Sequence, residues 1–146
     1  MTGVQTCALP ISTLQLAEGS WGANGDHSMW RNKQTAWTWD RLRALEAAFW
    51  KAAPAALKQP AARPVLAQAA RELLLAQSSD WQFIISTGAV VDYAERRFTL
   101  HADDTERLVG ALAAGATMDG AIVDALKRRD DLFPDVLAQV AEAVGG

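Results

Sequence analysis

The segment EGSWGANGDHSMW, at positions 18–30, contains two tryptophans, Trp21 and Trp30, among three glycines. Because glycine lets the backbone turn tightly, we predict that this segment is an irregular loop. A flat indole on such a loop offers an apolar surface suited to the C–H face of a sugar ring, and polar neighbours could bond sugar hydroxyls. Those neighbours are Asn24, Asp26 and His27. In the alternative interpretation, the two indoles only anchor the loop on the helices that follow.

A second candidate is Asp80, in the motif SSDW at positions 78–81. A carboxylate at the start of a helix is favoured by the helix dipole and could accept hydrogen bonds from two sugar hydroxyls. It could equally do no more than cap the helix. The two histidines, His27 and His101, have no companions at metal-ligand spacing, so no metal site is predicted, and His101 is expected to be packed or solvated. Serine-protease-like sets, phosphate loops and Cys/His clusters are not found in the sequence.

The composition of the chain limits its function further. The 146 residues carry a net charge of −3 and are 50% apolar, enough to build a single core. No stretch is rich in lysine or arginine, so nucleic acid is not expected as a partner. Apolar runs stay shorter than the roughly 18 residues of a membrane span, and no signal peptide is recognisable. We therefore expect a cytoplasmic protein without a membrane partner.

The pattern of apolar residues predicts an all-α fold of five or six helices. Apolar residues recur at three- and four-residue steps from Asn32 onward, with Trp37, Trp39 and Trp50 expected in the core or at an interface. Pro54, Pro60 and Pro64 are expected to mark a linker of about ten residues. Residues 80–91 favour a short helix capped by Ser79 or Asp80 and ended by Gly88, with a β-hairpin as the alternative. Pro134 suits the first turn of the last helix.

The first eleven residues, MTGVQTCALPI, read as the translation of a widely used short-read sequencing adapter. We therefore expect residues 1–11 to be a non-native artefact and exclude them from fold reasoning. The only cysteine, Cys7, then says nothing about redox chemistry. The expected organisation is the artefact at 1–11, a Trp/Gly-rich loop at 12–34 and a helical domain at 35–146.

Four blocks of the sequence resemble, in order, the C-terminal helical domain of glycoside hydrolase family 57 glucan branching enzymes. The blocks are LAEGSWGANGDHSMW, TAWTW, ARELLLAQSSDWQFIISTGAVVDYAERRFTLH and RRDDLFPD. They extend over residues 16–135, with gaps between the blocks. Asn24 departs from the acidic residue or glycine expected at that position.

The resemblance implies a fragment that lacks the family's catalytic (β/α)7 barrel. The family cuts an α-1,4-glucan and rejoins the released chain through an α-1,6 link, as in glycogen biosynthesis. Its catalytic carboxyl groups lie on the barrel, so we assign no catalytic residue and no cofactor to this chain. The helical domain closes one side of the cleft, which marks Trp21, Trp30 and Asp80 as α-glucan-binding residues. The missing barrel and the glucan are the expected partners.

Two alternatives stay open at this point. One is a 4-α-glucanotransferase or amylase of the same family, which differs in the linkage formed. The other is a non-catalytic helical module that binds polysaccharide or protein. In every carbohydrate-binding interpretation, the rings of Trp21 and Trp30 must not be sealed inside the chain's own helices.

Overall fold

A computed structural model describes residues 16–116 and 118–145. Two 3-10 turns, Ala23–Gly25 and His27–Met29, precede six α-helices. The helices are α1 (Ala36–Leu57), α2 (Arg63–Ala76), α3 (Asp80–Thr87), α4 (Val91–Ala113), α5 (Gly120–Arg129) and α6 (Val136–Gly145). The all-α prediction is confirmed. The proposed artefact at residues 1–11 and Cys7 lie outside the described residues, and the division at positions 12–34 and 35–146 stays a prediction.

The core forms around α2, which packs against α1, α4, α5 and α6. Leu66 and Ala69 of α2 are fully buried and join one cluster with Phe49 of α1 and Phe98 of α4. Each large apolar side chain buried in this way contributes about 1.5–3 kcal/mol. None of the helices in the described residues is long and apolar enough to cross a membrane.

The proline linker is shorter than predicted. Pro54 lies inside α1 and Pro64 lies in the first turn of α2, so only residues 58–62 connect the two helices. The side chain of Pro54 is exposed. On that side of the helix, water can bond the backbone carbonyl that a proline leaves free, which makes an internal proline tolerable. Pro134 also differs from its prediction, because it lies just before α6 instead of in its first turn.

Residues 80–87 form the short helix α3, and the hairpin alternative is wrong. Gly88 ends the helix in the left-handed region at φ 74°, and its N–H donates to the carbonyl of Ile84. The predicted side-chain cap is absent, however. Ser79 occupies the N-cap position without a capping bond, while Ser78 Oγ donates to Asp80 Oδ2 at 2.8 Å.

Candidate functional site

The loop before α1 is held in a tight turn by its glycines. The N–H of Ser20 donates to the carbonyl of Gly25 at 3.0 Å, which closes the turn. A Cβ on Gly19 would lie 2.8 Å from that same carbonyl oxygen, so a side chain at this position would push the turn open. Gly22 has φ 127°, a backbone conformation that other residues rarely adopt. The glycines therefore fix the loop that presents Trp21.

Trp21 projects into solvent from this turn, with 72% of its surface exposed. Its ring contacts Trp30 at a centroid distance of 6.3 Å in an edge-on arrangement, and Phe83 of α3 at 5.6 Å. A shallow depression beside Trp21 is also lined by Met29 and Thr87. The two indoles are not sealed inside the chain, and together with Phe83 they form an open apolar platform.

The backbone at Trp30 is fixed from two directions. Its carbonyl accepts hydrogen bonds from Thr35 Oγ1 and from the indole N–H of Trp39, both at 2.7 Å. Trp39 itself is partly buried against the core. The position of Trp30 is therefore coupled to the packing of α1.

Asn32 ties the loop to α3. Its Nδ2 donates to the carbonyl of Ser28 at 2.9 Å and to Ser86 Oγ at 2.8 Å. Its Oδ1 accepts from the N–H of Thr35 at 3.2 Å, and its own N–H donates to Thr35 Oγ1 at 3.0 Å. This reciprocal pair is the geometry of a capping box, so the spacing Asn-x-x-Thr was a signal in the sequence for this role.

An open groove of about 480 Å³, here called the Trp30 groove, lies beside Trp30. It is lined by Ser20, His27, Trp30, Arg31, Trp39, Arg43 and Ser79. The prediction that Trp39 is a core or interface residue is therefore incomplete, because this ring also faces the groove. Phe83, Trp39 and Arg43 were missed from the sequence because they meet the loop only after α1 and α3 have packed.

Asp80 is the first residue of α3 and is exposed. It lies one helical turn before Phe83, which contacts Trp21. Its neighbour Ser79 lines the Trp30 groove. The three residues marked from the sequence are thus grouped around α3, although Asp80 contacts neither indole among the ring and hydrogen-bond contacts described.

Trp37 and Trp50 lie away from the platform. The ring of Trp37 packs edge-on against Phe98 at 5.1 Å, and Trp50 packs in the same manner on Phe49. Both rings touch the core but stay partly exposed. Neither ring is therefore a core residue, and the predicted role of the two tryptophans at an interface stays a prediction.

A polar cluster, here called the buried polar cluster, is centred on Glu72, His101 and Asp130, which are buried, and includes Asp104 and Arg129, which reach the surface. It lies among α2, α4 and the end of α5. His101 Nδ1 lies 2.7 Å from Glu72 Oε2, and Arg129 Nη2 lies 3.2 Å from Glu72 and 2.7 Å from Asp104. His101 is therefore packed and not solvated. Its partner, Glu72, lies 29 positions away in the sequence.

Ligand atoms of Glu72, His101 and Asp130 lie within 4.8 Å of one another, which raises the question of a metal. The guanidinium of Arg129 already occupies this position, bonded to Asp130, Asp104 and Glu72. Burial opposes the charge of Arg129, but the hydrogen bonds that its guanidinium donates to Asp130 and Asp104 outweigh this effect and hold its pKa above the ordinary value. The cluster thus contains its own cation and does not fit a metal ion.

Comparison with known proteins gives consistent matches. The model of the C-terminal domain of 1,4-alpha-glucan branching enzymes matches residues 40–140. The 1,4-alpha-glucan branching enzyme TK1436 of Thermococcus kodakarensis is 38% identical over 134 residues, which covers 85% of this chain and 19% of that protein. A probable 1,4-alpha-glucan branching enzyme of Mycobacterium tuberculosis is 34% identical over 130 residues, with 82% and 24% covered.

Two solved structures are similar in fold and sequence. The crystal structure of a GH57-type branching enzyme from Pyrococcus horikoshii has a TM-score of 0.76 and 36% identity, covering 82% of this chain and 23% of that one. The structure of TK1436 in complex with glucose and additives has a TM-score of 0.79 and 35% identity, covering 90% and 24%. The chain spans 19% to 24% of the length of these relatives.

Proposed function

Because the chain belongs to the C-terminal domain family of 1,4-alpha-glucan branching enzymes, we propose that it forms one wall of the α-glucan cleft in such an enzyme. The observation that carries this proposal is the exposed ring of Trp21, supported by Trp30 and Phe83. An aromatic platform with polar groups at its edge suits the apolar face and the hydroxyls of a glucosyl unit. Asp80, at the exposed start of α3, is the proposed hydroxyl acceptor.

The reaction we propose for the whole enzyme is the transfer of an α-1,4-glucan chain to an α-1,6 linkage with retention of configuration. Retention requires two carboxyl groups about 5–5.5 Å apart, a nucleophile and an acid/base. We propose that both belong to a barrel outside this chain, with no cofactor. The role of the present wall is to hold glucan and exclude water, which favours transfer to a sugar hydroxyl over hydrolysis.

Branching is preferred over a 4-α-glucanotransferase or amylase activity because the matched relatives are described as branching enzymes. The activity of these relatives also leads us to propose a place in the synthesis of a glycogen-like polymer. With that substrate, the proposed site of action is the cytoplasm.

The first prediction concerns Trp21. We expect Trp21→Ala to lower kcat/KM for branching about tenfold, the equivalent of about 1.4 kcal/mol of lost transition-state binding. The measurement uses a chimera in which residues 16–145 replace the matched segment of the Thermococcus kodakarensis enzyme, with amylose branching followed by the loss of iodine staining.

Trp50→Ala in the same chimera is the control, because Trp50 is also a partly exposed tryptophan but packs on Phe49 away from the loop. We expect it to keep branching within about twofold of the unaltered chimera. Equal activity of the Trp21→Ala and unaltered chimeras toward long amylose would contradict the proposal that Trp21 forms part of the cleft wall.

A further inference from the structure

The Trp30 groove offers two indole rings and several hydrogen-bonding side chains. Trp30 and Trp39 both line it, and the hydrogen bond from the Trp39 indole to the Trp30 carbonyl holds their relative positions. A volume of about 480 Å³ lies within the range of small-molecule sites, about 300–1,000 Å³. Two held aromatic rings with a few polar groups around them form a surface that suits a sugar.

Carboxylates already pair with part of the basic lining of the groove. Arg43 bonds to Asp40, and His27 Nε2 lies 3.6 Å from Glu18 Oε1, whereas Arg31, which also lines the groove, forms no ion pair among the described residues. An anion would have to compete with Asp40 for the guanidinium of Arg43. A sugar hydroxyl can both donate and accept a hydrogen bond, so it can use the guanidinium and the carboxylate of such a pair together.

The groove borders the depression beside Trp21. Ser20 lines both the groove and the depression beside Trp21, and the edge-on contact of Trp21 with Trp30 separates the two. A polymer of glucosyl units that lies on Trp21 therefore meets the groove as it continues past Trp30.

We propose that the Trp30 groove is a second α-glucan subsite, in which Trp30 and Trp39 contact sugar faces and Arg43 and Ser79 bond hydroxyls. This proposal rests on the proposed function, because it extends the same glucan track beyond the Trp21 platform. It makes Arg43 a binding residue for longer glucan chains.

The test follows the indole N–H signals of the 146-residue chain by NMR during titration with maltoheptaose, up to about 20 mM, well above a Kd of about 1 mM. We expect the signals of both Trp21 and Trp39 to shift. Arg43→Ala should lower the association constant at least about fivefold and reduce the Trp39 shift, while the Trp21 signal still moves.

Arg96→Ala is the matched control. Arg96 is also an exposed arginine paired with a carboxylate on its own helix, that of Asp92 at 3.2 Å, but it lies on α4 outside the groove lining. Both variants remove a surface ion pair, so both should melt within about 3 °C of the unaltered chain. A Ser79→Ala variant provides a second test of sugar binding in the groove, since Ser79 makes no capping bond whose loss could disturb the helix.

The other outcomes of the titration distinguish a failure of the second subsite from a failure of the proposed function. If maltoheptaose shifts Trp21 while Arg43→Ala binds as tightly as Arg96→Ala, the second subsite is wrong and the proposed function stands. If inorganic phosphate shifts Trp39 and maltoheptaose does not, the groove binds anions and the proposal is also wrong. If no indole signal moves, the proposed function fails together with the subsite.

Discussion

Among single residues, Asn32 has the side chain most closely tied to the site. Its Nδ2 donates to Ser28 and Ser86, and its Oδ1 accepts from the N–H groups of Gln34 and Thr35. An asparagine side chain can form four hydrogen bonds, and here all four are formed. The position of the loop against α3 therefore depends on an amide at this position.

We expect Asn32→Asp to weaken maltoheptaose binding about tenfold, since aspartate keeps the two acceptor bonds but loses both donors and places a charged oxygen against the carbonyl of Ser28. Helical content, measured by circular dichroism, should stay unchanged. Asn24→Asp is the control, because it adds the same charge at an exposed position in the same loop. Similar affinities for the two variants would show that Asn32 does not position the loop.

Residue types alone made Trp21 and Trp30 candidates, because two tryptophans in a glycine-rich loop are unusual, and the family resemblance then marked them as glucan-binding residues. They could not identify Phe83 or Arg43. Phe83 is 62 positions from Trp21, so their contact exists only after α3 has packed beside the loop. In the sequence, Arg43 looks like any charged residue on a solvated helix face. Only the groove beside it makes it a candidate binding residue.

At the scale of elements, the end of α3 is set by one glycine. Gly88 adopts a left-handed conformation, and a Cβ built on it would meet no atom within 4 Å. Glycine is therefore favoured at position 88 by its backbone conformation and not by a lack of space for a side chain. Gly110, inside α4, also has open space around it but lies in ordinary helical backbone.

Alanine at these two glycines should change stability in opposite directions. Gly88→Ala is expected to lower the free energy of unfolding by about 1 kcal/mol, since alanine resists a positive φ. Gly110→Ala is expected to raise it by about 0.5–1 kcal/mol, since alanine favours helix. Urea denaturation measures both, and a change of the same sign in the two variants would contradict this account.

The elements were largely predictable because their apolar residues repeat at helical spacing. Residues 80–87 were ambiguous, since the same residue types suit a strand, and packing against α4 decides for the helix. Pro54 was misplaced for a related reason. A proline normally ends a helix, and only its exposed position on a long, well-packed α1 lets the helix continue.

At the scale of the whole molecule, the buried polar cluster joins three helices. Glu72 lies on α2, His101 on α4 and Arg129 at the end of α5. Trp81 of α3 stacks over His101 at 6.5 Å, so the helix that carries Asp80 and Phe83 rests on this cluster. No local pattern in the sequence could predict it, because its members meet only in the folded chain.

Glu72→Gln is expected to lower the free energy of unfolding by about 3 kcal/mol, because it removes a buried negative charge and leaves Arg129 less compensated. Glu106→Gln removes an exposed carboxylate that pairs with Arg41 at 3.2 Å, and should cost less than about 1 kcal/mol. Chemical denaturation at neutral pH compares the two. Equal losses would mean that the cluster contributes no more than a surface ion pair.

The loop and the bundle differ in what holds them. Of the described side chains in residues 16–35, only that of Thr35 is buried, so hydrogen bonds and ring contacts supply most of the loop's attachment. Segments with few buried apolar contacts open at a small cost in free energy, independently of the core. Warming would therefore inactivate such a protein in two stages. The proposed carbohydrate binding would be lost first, at temperatures where the bundle still shows full helicity, and thermostabilising the core would not by itself preserve that binding.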